Sequence, residues 1–300
     1  MNERVVLAYG GDLATSVAIP WLAETYGVEV MTVTLDIGQG RDLSELRARA
    51  LACGAVRAHA IDARDDFARD VLLPSLYASG ASPQQAMASL PRPFIAKKLV
   101  EVAAIEGASM VAHGSRDASF DDEVATIAPS LRVLAPARTW VMSVDEMIAY
   151  AKQRALPVAV LRDGGFRIDE HLWGRTFTWE GDREPPRLTR QLAEAALVDI
   201  HFEQGVPTAI NGVPMAPAEL IECLSLIAAQ HGIGRVDVGT GRAADGAHRV
   251  LVDAPAAVVL QAAADAAGGP RTADICLKLD EGQCTVLAPE NRPSALVNYA

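Results

Sequence analysis

Residues 4–26 read RVVLAYGGDLATSVAIPWLAETY, and the fold follows from the three pieces of that stretch. Arg4–Tyr9 is an almost unbroken apolar run, the pattern of a strand buried on both faces in a parallel sheet. Gly10-Gly11-Asp12 is a turn. From about Thr15 to Tyr26, with Val17, Ile19, Trp21 and Leu22 as its apolar members, the pattern is helical, and Gly27 closes it. A strand, a glycine-bearing turn and a helix in that order make a phosphate-binding geometry, because the first N–H groups of a helix have no partner within it. Taken alone the signal is weak, since a glycine turn there also serves packing and nothing else.

The pattern repeats downstream. Glu29–Leu35 is a second strand, Leu43–Cys53 a helix ended by Gly54, and Ala55–Ile61 a third strand. Such alternation implies a parallel sheet with right-handed crossovers, an α/β fold. Asp65–Tyr77 reads as a helix, Ser79–Ser89 as a loop and Pro93–Glu106 as an amphipathic helix. Ser109–Ala112 is a short strand running into His113-Gly114, and Arg132–Leu134 is another. Ser143, with Glu146 three residues on, has the spacing of a capping box and opens a helix through Arg154. A boundary falls near Pro157–Gly165, dividing the chain into a nucleotide-binding α/β domain, 1–160, and an α+β domain, 166–300. In the latter, Asn211-Gly212 is a hairpin turn, Pro217–His231 a helix, and Arg249–Val252, Asp274–Leu279 and Thr285–Ala288 are strands joined by one Ala-rich helix.

Composition narrows the function. Among 300 residues, 27 basic side chains face 38 acidic ones, a net charge of −11 with no basic cluster, which argues against nucleic acid as a partner. Four cysteines without a CxxC pair and six scattered histidines supply no close-spaced metal ligands. No apolar stretch is long enough to span a bilayer, and Met1-Asn2-Glu3-Arg4 lacks a signal-peptide layout, so the expectation is a cytoplasmic protein with no membrane partner.

Eight segments together carry a more specific reading: VVLAYGGDLATS (5–16), TLDIGQG (34–40), RPFIAKKLV (92–100), AHG (112–114), IDEHLWG (168–174), GVPTAING (205–212), HGIGRVDV (231–238) and APAA (254–257). In sequence and order they resemble argininosuccinate synthase. The resemblance implies an N-terminal ATP-pyrophosphatase domain of the adenine nucleotide alpha hydrolase-like class and a smaller α+β synthetase domain. It implies ATP with Mg2+ and an amino-acid-like small-molecule substrate. In that family the ureido oxygen of citrulline attacks the α-phosphate of ATP, pyrophosphate leaves, and the aspartate amine then displaces AMP. Positioning and electrostatics carry such chemistry, and no residue here is singled out as catalytic. Carried over residue by residue, the nucleotide would meet Ala8, Tyr9, Gly10, Gly11, Asp12, Thr15, Ser16, Leu35 and Gly114, and the substrate side would hold Arg92, Arg116, Asp121, Arg167 and Thr176.

The chain also departs from the family. Where the family loop reads AYSGGLDTS, this one reads AYGGDLATS: a serine has become Gly10, a glycine Asp12 and an aspartate Ala14. Asp12 stands where backbone should approach pyrophosphate, and it could point away, hold a cation or repel the anion. A citrulline-contacting tyrosine aligns with or near Gln84, two citrulline-contacting serines align with Arg167 and Thr176, and the arginine that would hold the citrulline carboxylate has no counterpart. Three readings stay open: a ligase of this type with another substrate, a binding or regulatory protein that keeps the fold without turnover, and an unaltered synthase. A long helical insertion between Ala267 and Arg271 and a trailing arm beyond Ala300 are missing relative to the family, which disfavours a family-type tetramer and leaves a homodimer open.

Overall fold

The structure is a computed structural model and describes residues 3–78, 87, 89–116, 118–158, 166–179, 194–243 and 246–288. The chain forms two compact units, residues 1–63 with 91–162, and residues 64–90 with 163–300.

The first unit is built on five parallel strands: β1 (Arg4–Ala8), β2 (Glu29–Asp36), β3 (Arg57–Asp62), β4 (Met110–Ala112) and β5 (Arg132–Leu134), in the order β3-β2-β1-β4-β5. β1 lies in the middle, and its apolar run serves both faces of the sheet. Val5, Leu7 and Tyr9 pack with Val17, Ile19 and Leu22 of the helix Leu13–Tyr26, while Val6 packs with Ala96, Leu99 and Val102 of the helix Pro91–Glu106. Burying each such side chain contributes about 1.5–3 kcal/mol.

The first helix begins at Leu13, two residues before the apolar periodicity would start it. Asp12 is extended (φ −80°, ψ 175°) and caps it, a local hydrogen-bonding role that periodicity cannot reveal. β3 starts at Arg57, not Ala55, because the Ala55 N–H turns back to the Ala50 carbonyl and closes the preceding helix. The Ser143 capping box forms in full, with the Glu146 N–H reaching the Ser143 hydroxyl and the Ser143 N–H reaching the Glu146 carboxylate. The helix Ser119–Ile127 has no readable period in the sequence, because it buries only Phe120 and Val124.

At the amino edge of the sheet lies a buried carboxylate. Arg57 Nη1 lies 2.9 Å from both oxygens of Glu106, and His59 Nε2 lies 2.6 Å from one of them. Arg4 Nη1 donates to the Glu106 backbone carbonyl at 2.8 Å.

The predicted helix 65–77 forms as Arg64–Phe67, a π-helical turn at Ala68–Leu72, and Leu73–Ser75. Whereas the linear division at 160/166 places it with the nucleotide-binding domain, it packs in the second unit. The Tyr77 hydroxyl donates to the Gly205 carbonyl at 2.8 Å, the Ala218 N–H donates to Asp65 Oδ1 at 3.0 Å, and Gln261 Nε2 donates to the Leu76 carbonyl at 3.1 Å. Helical periodicity shows that a face is buried, not which body buries it.

The rest of the second unit contains two antiparallel sheets. One has the order β10-β9-β8-β13-β14, from β8 (Ala196–Glu203), β9 (Val206–Ile210), β10 (Val213–Pro214), β13 (Ala273–Asp280) and β14 (Gln283–Val286). Its two-residue turns, Gln204-Gly205 (φ 50°, 86°) and Asn211-Gly212 (φ 50°, 77°), have positive φ at both positions, as tight hairpins require. The helices Pro217–Gln230 and Pro255–Ala267 pack on each other beside it. The other sheet has the order β11-β12-β7-β6, from β6 (Phe166–His171), β7 (Gly174–Trp179), β11 (Arg235–Ala243) and β12 (Gly246–Asp253). Of these four, only the core of β12 was legible as a strand. Charged residues across them are register partners: Glu170 opposite Arg175, Arg175 opposite Asp253, and Asp253 opposite Arg235. Opposite residues share a face, so a row of alternating charge crosses all four strands. Burial pushes the Asp253 carboxyl up, against the pull of Arg235 and Arg175.

Candidate functional site

The strand order turns at β1: β2 and β3 lie on one side, β4 and β5 on the other. In open α/β sheets ligands bind at such a switch point, beyond the carboxyl ends of the strands. Here that edge brings Gly10–Asp12, after β1, beside His113–Arg116, after β4. The second turn lies against the start of the first helix: a Cβ on Gly114 would stand 3.0 Å from Thr15 Cγ2. Gly11 has φ +74°, and a Cβ there would come within 2.2 Å of Leu46 Cδ2, so both its conformation and its space call for glycine.

The turn is braced by hydrogen bonds. Asp12 Oδ1 accepts from the Thr15 backbone N–H at 2.7 Å and from the Thr15 hydroxyl at 2.8 Å. Asp12 itself is exposed, so its carboxylate reaches inward from solvent. The Gly10 carbonyl accepts from Arg41 Nη1 at 2.6 Å and the Gly11 carbonyl from Arg49 Nη1 at 3.0 Å. Arg49 is also paired with Glu45 one turn earlier on its helix. Beneath the turn, the Tyr9 hydroxyl and Ser16 Oγ are 3.0 Å apart, and both residues are buried. Burial pushes the Tyr9 phenol and the neighbouring Cys53 thiol up. The Ser16 N–H donates to the Asp12 carbonyl, so Ser16 supports the turn from within. Ala8 and Leu35 are half-buried and pack against the core cluster of Val6 and Met31.

On the β4 side, His113 is pinned at both ring nitrogens. Nδ1 accepts from the Ser115 N–H at 3.2 Å, which leaves the proton on Nε2 to donate to Asp121 Oδ1 at 2.8 Å. Burial lowers the imidazole's proton affinity and outweighs the pull of Asp121, so the ring is neutral. Burial would raise the Asp121 carboxyl, but the bonds from Arg138 and His113 outweigh it and hold it low. His113 therefore shapes the turn and has no nitrogen free to act as a base. Arg92, at the start of its helix, donates to the Ser119 hydroxyl, and Arg116 is exposed.

The remaining expected residues lie in the second unit. Arg167 on β6 is 79% exposed and pairs with Asp169 at 3.5 Å, as a solvated surface arginine does. Thr176 on β7 is buried and stands opposite Asp169 and Val252. Gln84 lies outside the described residues.

Thus Ala8–Asp12, Thr15, Ser16, Gly114, Arg116 and Asp121 gather at or near one edge of one sheet. Sequence reasoning missed Arg41, Arg49 and Arg138, whose guanidinium groups hold the two turns. Only Arg49 had a readable signal, three residues beyond the apolar Leu46 on the same helix face. Among the described residues there is no group of three or more His, Cys, Asp or Glu side chains able to hold a metal, and no helix is long and apolar enough to cross a membrane.

Comparison with known proteins gives two family matches, the arginosuccinate synthase N-terminal HUP domain over residues 4–157 and the arginosuccinate synthase C-terminal domain over residues 166–267. The chain is 38% identical over 284 residues to an argininosuccinate synthase from Dehalococcoides mccartyi, covering 88% of this chain and 70% of that protein. It is 40% identical over 297 residues to one from Synechococcus elongatus, covering 91% of this chain and 74% of that protein. Among solved structures, the U34-tRNA thiolase NcsA from Methanococcus maripaludis is similar over 53% of this chain and 59% of its own, at 14% identity and a TM-score of 0.35. With both family domains in order on a parallel sheet and an antiparallel C-terminal unit, this chain belongs to the argininosuccinate synthase family.

Proposed function

We propose that this protein is an ATP-dependent carbon–nitrogen ligase that adenylates an oxygen nucleophile and passes it to an amine, with a substrate other than citrulline. The oxygen would attack the α-phosphorus, pyrophosphate would leave, and the amine would then displace AMP. The observation that carries this reading is the glycine turn that opens a helix at the switch point, with Gly11 at φ +74° and Gly114 of the neighbouring turn against the Thr15 methyl. Such a turn suits a phosphate chain, since the helix Leu13–Tyr26 starts there and its first N–H groups favour an anion. Arg92, Arg116 and Asp121 would line the substrate side in the first unit, and Arg167 and Thr176 are the second unit's candidates. Magnesium would enter with the nucleotide.

Loss of the citrulline-carboxylate arginine supports a changed substrate, because a bidentate donor has no substitute in shape. A second reading, a binding protein without turnover, is favoured by one observation: the Asp12 carboxylate already holds the donors of Thr15. The experiment is a thermal shift with millimolar ATP and Mg2+, followed by pyrophosphate release over ureido and carboxylate substrates with amine partners. ATP binding with pyrophosphate release is the expected result. No shift overturns the ligase reading, and binding without pyrophosphate release on any substrate favours the second. Steady formation of argininosuccinate from citrulline and aspartate would overturn the substrate assignment.

A further inference from the structure

We infer that Asp12 is the resident anion of the phosphate loop, an affinity-determining carboxylate that any incoming phosphate must displace. The inference rests on the ligase reading above for the loop's role, and it concerns how that loop is filled.

An anion binds at a helix start through N–H groups, hydroxyls and the positive end of the helix dipole. In this loop the donors of Thr15, backbone N–H and side-chain O–H, both point at Asp12 Oδ1, at 2.7 and 2.8 Å. One carboxylate oxygen thus satisfies two donors that a phosphate oxygen would otherwise use. The two arginines nearest the turn are engaged as well, but with the carbonyls of Gly10 and Gly11. They brace the backbone of the turn that precedes the helix.

The contact is also able to open. Asp12 is exposed, its side chain is short, and the bonds it makes are to its own helix, so rotation about χ1 frees it into solvent without disturbing the core. A charged ligand therefore competes with a built-in acceptor at very high local concentration. Repulsion adds to the competition when both anions are near the turn.

The test replaces the charge while keeping the cap. Ser is as good an N-cap as Asp, so Asp12→Ser retains an acceptor for the Thr15 N–H and removes the carboxylate. Asp12→Asn is a second, isosteric version. Calorimetry of the full chain and both variants uses two probes, inorganic pyrophosphate without metal and ATP with Mg2+. The expected result is tighter binding of both probes by about tenfold or more in both variants, with melting temperature unchanged. Unchanged affinity overturns the inference and leaves the ligase reading intact. Weaker ATP–Mg2+ binding in the variants also overturns it, by showing that Asp12 holds the cation. Binding by the variants but not by the natural chain supports the inference and removes the ligase reading. Absence of binding in all three overturns both.

Discussion

A carboxylate is held at each edge of the same parallel sheet, and the two are held in opposite ways. At the amino edge Glu106 is 3% exposed and is gripped by side chains from elsewhere in the sheet, Arg57 and His59. At the carboxyl edge Asp12 is exposed and is held by Thr15, three residues along its own helix. The first arrangement ties distant pieces of chain together and cannot open without unfolding something. The second is local, so it can open while the core stays shut. Burial and sequence distance, more than the charge itself, separate a structural carboxylate from one poised to exchange with a ligand.

The contrast can be tested from its strong side first. Glu106→Gln removes charge-assisted bonds from a buried site and is expected to cost about 2–3 kcal/mol, read by urea denaturation. The loss depends on pH. Burial alone would raise the Glu106 carboxyl, but the bonds from Arg57 and His59 outweigh it and hold it below its ordinary 4.5. A group depressed in the folded state stabilises fully above its unfolded value and loses that stabilisation as pH falls. The gap between natural chain and variant should therefore be level above pH 5 and narrow below about 4.5. A gap that widens on acidification would contradict the clamp. Next comes Gly11→Ala, where the φ of +74° and the 2.2 Å approach to Leu46 Cδ2 both resist a side chain. It should cost about 2 kcal/mol and distort the turn at the carboxyl edge. Smallest is Asp12→Ala, which loses a cap worth about 1 kcal/mol. Should Asp12→Ala cost as much as Glu106→Gln, the carboxyl-edge carboxylate would be structural too and the comparison would fail.

Much of this fold is legible in the sequence, for identifiable reasons. β1 declares itself because both faces of a central parallel strand are apolar, and Ser143 declares itself because capping needs only a spacing of three. Asp12 and Thr15 have that same spacing, but Thr15 has no carboxylate to return the bond, so the capping-box signature is absent and the cap does not stand out. The strands β6, β7 and β11 escaped because each alternates over only two apolar positions, Phe166 and Ile168, Phe177 and Trp179, Val236 and Val238, too short a run to establish a period. Arg41 and Arg138 escaped for a different reason: a guanidinium bonded across the fold leaves no mark at its own position in the chain.

The segment Arg64–Ser75 has a consequence for how the protein is made. Its apolar side chains Phe67, Leu72 and Leu73 are buried in the second unit, and the bonds made by its Asp65 and by Leu76 and Tyr77 just beyond it reach across 153, 185 and 128 residues of sequence. A ribosome adds on the order of ten residues per second, so this helix leaves the exit tunnel roughly ten seconds or more before its partners exist. Through that interval the first unit must close around a detour whose greasy face has nothing to rest on. The same geometry warns against cutting the chain in two at its apparent linker: the half that ends near residue 160 would carry off a helix belonging to the other.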